Sequence, residues 1–170
     1  MALTITAGCG YVNGNGTACT SLYTYCDTAY PAGATFIVRK IEVNAAVNED
    51  AGFTFKIGCG SLSDNTLTKR TIVSLVTDNK GTGVISWEAP GDFTAFQMLA
   101  GDVIYFYVDS TSFKPDTTTS ATPEGLKYVA GNKTGDASFN FTNSDTTRTI
   151  EVKFIEVKKG GGRITLLGVG

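Results

Sequence analysis

The sequence predicts an all-β protein, an antiparallel β-sandwich of the jelly-roll type with a flexible C-terminal arm. Short apolar segments recur every roughly 8 to 20 residues, and the turns between them are rich in Gly, Asn and Asp. No segment has a sustained helical periodicity. About nine or ten strands connected in this way are typical of a β-sandwich, and the jelly roll is the version that we favour.

Residues 103–108, VIYFYV, predict the central strand of the fold. Both sets of alternating side chains in this segment are apolar or aromatic. A strand with one solvated face would alternate with polar residues. We therefore expect this strand to be covered on one face by the opposite sheet. A loop, a long connection or a neighbouring subunit should cover the other face.

The other elements follow from similar patterns along the chain. The predicted strands are residues 3–7, 17–26, 34–47, 53–57, 66–77, 84–88, 126–130, 137–142 and 149–157. Residues 93–99 have some helical spacing but are too short for a helix, so a single turn or an irregular crossing is expected. Residues 110–125 are predicted to form a long polar loop. A change of face in the last strand predicts a bulge near Phe154 and Ile155.

Composition argues against several classes of function. The net charge of −2, with dispersed Lys and Arg, predicts neither nucleic-acid nor membrane binding. The chain lacks a long apolar run and a secretory signal, so synthesis in a cytoplasm without secretion is expected. The absence of histidine removes the most common general base. We therefore expect no enzymatic activity and no cofactor.

Four cysteines, Cys9, Cys19, Cys26 and Cys59, leave three alternatives open. The cysteines could be buried free thiols, form one or two disulfides, or bind a metal in an irregular all-thiolate site. Of these, we do not expect the metal site. Residues 3–10 and 53–60 also share a pattern that ends in Gly-Cys-Gly. This similarity reflects either a duplicated hairpin with facing cysteines or, as we favour, a chance match.

Two carboxylate pairs are candidates for glycosidase chemistry. Asp102 and Asp109 flank the predicted central strand, and Glu88 and Asp92 flank a proline turn. A glycosidase needs two carboxyl groups opposed across a cleft. The alternative, which we favour, is that these residues serve the turns in which they lie.

Aromatic residues suggest a second kind of site, a sugar-stacking platform. Tyr25 and Trp87 are the principal candidates, within a group that also contains Tyr11, Tyr23 and Tyr30. The alternative, core packing, is favoured because half-buried strands prefer the same residue types.

The C-terminal end suggests a third kind of site. Residues 1–159 are predicted to form one sandwich domain, and residues 160–170 a glycine-hinged arm. The residues expected to mediate assembly are Arg163, Ile164, Leu166, Leu167 and Val169. Such an arm can add as a strand to the sheet of an adjacent subunit, or fold back as the last strand of its own domain.

A small sandwich without histidine or a signal, with Thr- and Gly-rich turns and an apolar arm, resembles the jelly-roll decoration (cement) and head-fibre proteins of tailed-phage capsids. The resemblance is architectural and covers the whole chain. It implies a virion location and a structural role in stabilising the capsid or presenting a surface to the host. It also implies capsid or other virion proteins as partners and a homo-oligomer, often a trimer. The alternative function is that of a carbohydrate-binding module or lectin-like domain.

Overall fold

The computed structural model describes residues 3–8, 17–47, 53–77, 81–109, 113–119 and 125–158. Within these ranges the chain forms strands, turns and bends and no helix. The strands are β1 (Leu3–Gly8), β2 (Thr17–Ala18), β3 (Tyr23–Asp27), β4 (Phe36–Val38), β5 (Lys40–Val47), β6 (Thr54–Ser63), β7 (Thr66–Val76), β8 (Gly83–Glu88), β9 (Phe96–Met98), β10 (Val103–Val108), β11 (Lys114–Thr119), β12 (Leu126–Ala130), β13 (Ser138–Asn140), β14 (Asn143–Asp145), β15 (Arg148–Ile150) and β16 (Val152–Lys158).

The strands form two large antiparallel sheets and one small one. The first sheet has the order β1-β16-β5-β11-β15, with β2 paired to β11 and β8 paired to β5. The second has the order β13-β7-β6-β10-β3-β12-β14, and β4 pairs with β9. The chain passes repeatedly from one large sheet to the other, for example from β5 to β6 and from β7 to β8. The predicted all-β, antiparallel, sandwich-like fold is confirmed.

The main core lies between the two large sheets. Ile41 and Phe154 of the first sheet belong to the same buried cluster as Phe55 and Phe106 of the second. The small sheet contributes Phe36, Val38 and Met98 to this cluster. Burial of these apolar side chains is the main stabilising contribution, on the order of 1.5 to 3 kcal/mol for each large side chain.

The central strand is β10, and it is covered on both faces as predicted. Ile104, Phe106 and Val108 belong to the main core, whereas Val103 and Tyr105 belong to a second buried cluster on the opposite face. Phe139 and Phe141, which follow β12 in the chain, help to cover that opposite face. The cover is therefore the far edge of the same sheet, which includes Leu67 of β7 and Phe139 of β13, and not the loop, long connection or neighbouring subunit that the sequence suggested.

The second cluster exists because the second sheet curls on itself. Strands β13 and β14 lie at opposite ends of its strand order, yet only Phe141 and Thr142 separate them in the chain. The outer strands of a flat seven-stranded sheet would lie about 29 Å apart at the usual strand spacing. Three residues span at most about 11 Å. The sheet therefore curls into a half-barrel, and its concave face encloses the second cluster.

Two predictions for the later part of the chain are wrong. Residues 110–125 do not form only a loop, because β11 pairs with β2, β5 and β15 and buries Pro115 and Thr117. The register of β16 is regular through Phe154 and Ile155, and the interruption falls at Glu151 instead. The pairing fits the chance match that we favoured for the shared Gly-Cys-Gly pattern, because β6 forms a hairpin with β7 whereas β1 pairs with the distant strand β16.

The sequence suggested that a strand ends at Gly58-Cys59-Gly60, and this prediction is wrong. Strand β6 continues to Ser63, and its register against β7 shifts between Cys59 and Gly60. A Cβ atom on Gly58 would lie 2.0 Å from the carbonyl oxygen of Thr71. The two strands approach so closely there that only glycine fits.

Candidate functional site

The predicted assembly residues of the arm, Arg163, Ile164, Leu166, Leu167 and Val169, lie outside the described residues. The assembly role of these residues stays a prediction. Among the residues predicted for sugar stacking, Tyr11 also lies outside the described residues, whereas Tyr23, Tyr25, Tyr30 and Trp87 lie inside them. The residues predicted for catalysis, Glu88, Asp92, Asp102 and Asp109, lie inside the described ranges as well.

Trp87 belongs to the main core and has an exposed fraction of 1%. Its ring packs edge-on against Phe113, with ring centroids 5.7 Å apart, and Nε1 donates a hydrogen bond of 2.7 Å to the carbonyl oxygen of Val76. No face of the ring is open to a sugar. Core packing, the alternative that the sequence favoured, describes Trp87.

Tyr25 is 4% exposed and is anchored in the core, but its ring also lines a cleft. The ring stacks on Phe106 with centroids 5.7 Å apart, and the hydroxyl donates to the carbonyl oxygen of Thr20 at 2.9 Å. Tyr23 and Tyr128 lie beside it, both half-buried, and contact each other edge-on at 5.6 Å. These three rings form the wall of what we call the tyrosine cleft.

The tyrosine cleft has a volume of about 260 Å³ and opens between the two large sheets. Strands β3, β12 and β14 line it from the second sheet, and β2, β11 and β15 from the first. Its polar lining includes Asp145 and Arg148, whose carboxylate oxygen and Nε atom lie 3.8 Å apart. Sequence reasoning named Tyr23 and Tyr25 but missed Tyr128 and Arg148, because only the pairing of distant strands brings these residues together.

Strand β7 has an edge that is only partly paired within the part of the chain that the structure describes. The short strand β13 pairs only with Thr66, Leu67 and Thr68 of β7. From Arg70 to Val76 no described strand pairs with this edge. The side chain of Val76 is 56% exposed, and that of Val84 in β8 is 54% exposed. We call residues 70–76 the β7 edge.

Three of the four residues in the carboxylate pairs, Glu88, Asp92 and Asp102, take part in turns and ion pairs. Asp102 is buried, and its carboxylate accepts hydrogen bonds from Arg70 at 2.7 and 3.1 Å and from the backbone N–H of Leu99 at 3.0 Å. Asp92 accepts a hydrogen bond from the backbone N–H of Glu88 at 2.8 Å. These contacts are the turn chemistry that the sequence favoured over a glycosidase pair.

Asp27 is a buried acid that joins the two sheets. Its Oδ1 accepts hydrogen bonds of 2.9 Å from Thr149 Oγ1 and from the backbone N–H of Ala29. Its Oδ2 is buried with no hydrogen-bond partner in the described part of the chain. Burial raises the pKa of Asp27 to about 6, although its hydrogen bonds partly offset that rise.

The three cysteines within the described ranges, Cys19, Cys26 and Cys59, are buried free thiols. The disulfide alternative is wrong for these three residues, and Cys9 lies outside the described ones. Burial raises the pKa of each thiol, that of Cys59 to about 12 with a further contribution from Asp102. A high pKa and burial both suppress the reactive thiolate.

We therefore expect the native protein at neutral pH to react rapidly with at most one equivalent of an alkylating reagent. After unfolding, all four cysteines of the chain should react. Mass spectrometry before and after denaturation measures both numbers. Rapid uptake of two or more equivalents by the native protein would contradict the burial of these thiols.

Comparisons with known proteins do not assign the chain to a class. No protein-family model, curated protein or solved structure matches it. In the described ranges no three His, Cys, Asp or Glu side chains are grouped as metal ligands would be. The same ranges contain no helix suited to crossing a bilayer. Function is therefore argued from the β7 edge and the tyrosine cleft themselves.

Proposed function

We propose that this protein is a structural accessory protein of a virus particle, which decorates and stabilises a capsid or presents a surface, and acts through assembly of its subunits. The observation that supports the proposal is the β7 edge. A strand edge offers a row of backbone N–H and C=O groups to any other strand, so proteins that do not use such an edge usually block it.

Beyond the bulge that leaves Arg70 unpaired with β6, no described residue blocks the β7 edge in the usual ways. Residues 70–76 contain no proline, and Arg70 is the only charged residue among them. Arg70 is also committed to the ion pair with Asp102. Toward the end of the edge, Ser74 and Val76 are exposed. A strand from another subunit could pair here through backbone hydrogen bonds and cover the side chain of Val76, whose carbonyl oxygen already accepts a hydrogen bond from Trp87 Nε1.

The C-terminal arm of a second copy is the partner that fits this edge. Residues 163–170 are comparable in length to the β7 edge, and Ile164, Leu166, Leu167 and Val169 supply apolar side chains. The three glycines before them permit the chain to leave its own domain. Donation of the arm from one copy to the next would build a closed ring or a chain of subunits.

Deletion of residues 163–170 is expected to abolish self-association and to change the melting temperature by only a few degrees, because the arm then lies outside the core of its own domain. Sedimentation velocity and thermal unfolding measure the two effects. Val76→Lys in the full-length chain should weaken self-association at least about fivefold by placing a charge at the receiving edge.

Leu22→Lys is the matched control for Val76→Lys. Leu22 is 53% exposed but lies in the turn between β2 and β3, so this change should leave association intact. Unchanged association after the deletion, together with a collapsed melting temperature, would show that the arm is an internal strand. Equal effects of the two lysine substitutions would show that the β7 edge is not the receiving surface.

Carbohydrate binding stays the alternative function. It cannot use Trp87, whose ring is enclosed in the core. The tyrosine cleft, to which Tyr25 contributes, is the feature of the described structure that favours it.

A further inference from the structure

The geometry points to a second function that is independent of assembly: we propose that the tyrosine cleft binds one ring of a neutral sugar. Sugars present apolar C–H faces and, at their edges, hydroxyl groups that both donate and accept hydrogen bonds. A site for such a ligand needs an aromatic wall and, next to it, a donor and an acceptor. The cleft supplies all three.

The aromatic wall is held in place before any ligand arrives. Tyr25 is fixed by its stack on Phe106 and by its hydrogen bond to Thr20. Tyr128 packs against Tyr25 with centroids 5.8 Å apart, and Tyr23 contacts both rings. Because these contacts already restrict the rings, little side-chain entropy remains to be lost on binding.

The polar side of the cleft provides a donor and an acceptor close together. Arg148 is exposed and carries several N–H donors, while Asp145 carries a carboxylate. Asp145 Oδ1 accepts hydrogen bonds from the hydroxyl of Thr147 at 2.7 Å and from its backbone N–H at 2.9 Å. These bonds hold the pKa of Asp145 below its usual value, so the carboxylate is charged at neutral pH. Adjacent hydroxyls of one sugar ring match such a pair.

Charge decides between a neutral sugar and an anion. Arg148 alone would suit a phosphate or a carboxylate, but Asp145 lies 3.8 Å from it and compensates its charge. An anionic ligand would have to lie close to the Asp145 carboxylate, and the repulsion between the two negative charges would weaken its binding. Neutral hydroxyls face no such penalty. The volume of about 260 Å³ is small, which limits the cleft to about one sugar ring.

The test is titration of the full-length protein with methyl glycosides of glucose, galactose, mannose and N-acetylglucosamine, followed by amide chemical shifts in NMR. At least one glycoside should bind with a dissociation constant on the order of 1 mM, as expected for so small a ligand. The shifts should be largest in residues 18–25 and 125–148. Arg148→Gln should weaken binding about tenfold, because a charged hydrogen-bond donor is lost at an exposed position that the fold does not need.

Tyr30→Ala is the matched control, since Tyr30 is 37% exposed and does not line the cleft. It should leave binding unchanged, as should deletion of residues 163–170, whose effect on association tests the assembly proposal separately. Failure of all four glycosides to shift the cleft amides would overturn the inference. So would equal binding by wild type and Arg148→Gln, or displacement of the glycoside by inorganic phosphate.

Discussion

Trp87→Ala is expected to lower the free energy of unfolding by about 3 to 5 kcal/mol. The ring is 1% exposed, packs against Phe113 and donates its N–H to the carbonyl oxygen of Val76. Its removal would leave a cavity at the junction of β8 with β7 and an unpaired carbonyl oxygen. Since small proteins are stable by about 5 to 15 kcal/mol in total, much of the stability would be lost. Denaturant unfolding followed by far-ultraviolet circular dichroism measures the change.

Val84→Ala is the matched control, because Val84 lies on the same strand as Trp87 but is 54% exposed. It should change the free energy of unfolding by no more than about 0.5 kcal/mol. Trp87 is the only tryptophan, so quenching by iodide in the wild type gives a second measurement. Strong quenching of the native protein, or an unfolding free energy that Trp87→Ala leaves unchanged, would show that the ring is accessible and would reopen its role in sugar stacking.

The second large effect is on pH dependence and arises from Asp27. The pKa of this carboxyl is about 6 in the folded protein against an ordinary value of 3.8. A raised acid pKa means that folding favours the protonated form. The stabilising contribution is therefore complete below about pH 4 and is lost as pH rises through 6. As pH rises from about 4 to above 6, ionisation of Asp27 should lower the free energy of unfolding by about 3 kcal/mol in total.

Asp27→Asn tests this expectation, since the amide oxygen can still accept from Thr149 and Ala29 but carries no charge. At pH 7 to 8 the variant should be more stable than the wild type, and the loss of stability between about pH 4 and pH 7 should be much smaller. Asp145→Asn is the control of opposite sign, because the pKa of Asp145 is lowered and its ionised form favours folding. Parallel stability curves for wild type and Asp27→Asn would contradict the assignment.

Trp87 and Asp27 each join the two large sheets, but at different places. Trp87 connects β8 to the end of β7, beside the β7 edge. Asp27 connects β3 to Thr149 in β15, next to Arg148 of the tyrosine cleft. The two candidate surfaces are therefore supported by separate contacts.

The sequence predicted the central strand correctly because its signal is local. In β10 every side chain is apolar or aromatic, and burial on both faces follows from that property alone. Strand β11 was missed because KPDTTT carries no apolar alternation. Its strand conformation depends on hydrogen bonds to β2, β5 and β15, which lie far away in the chain. The bulge was misplaced for a similar reason, since the register of β16 is set by β1 and β5.

The sequence alone determined the fold class, since spacing, turn residues and apolar patterns act over a few residues at a time. Tertiary structure decided the curling of the second sheet, the burial of Trp87, the lack of a described partner strand along the β7 edge, and the meeting of Tyr23, Tyr128 and Arg148. Each of these depends on which strands pair, and pairing joins residues as far apart as Tyr25 and Tyr128. A contact between residues so far apart in the chain depends on the packing of the whole sandwich, so local propensity does not predict it.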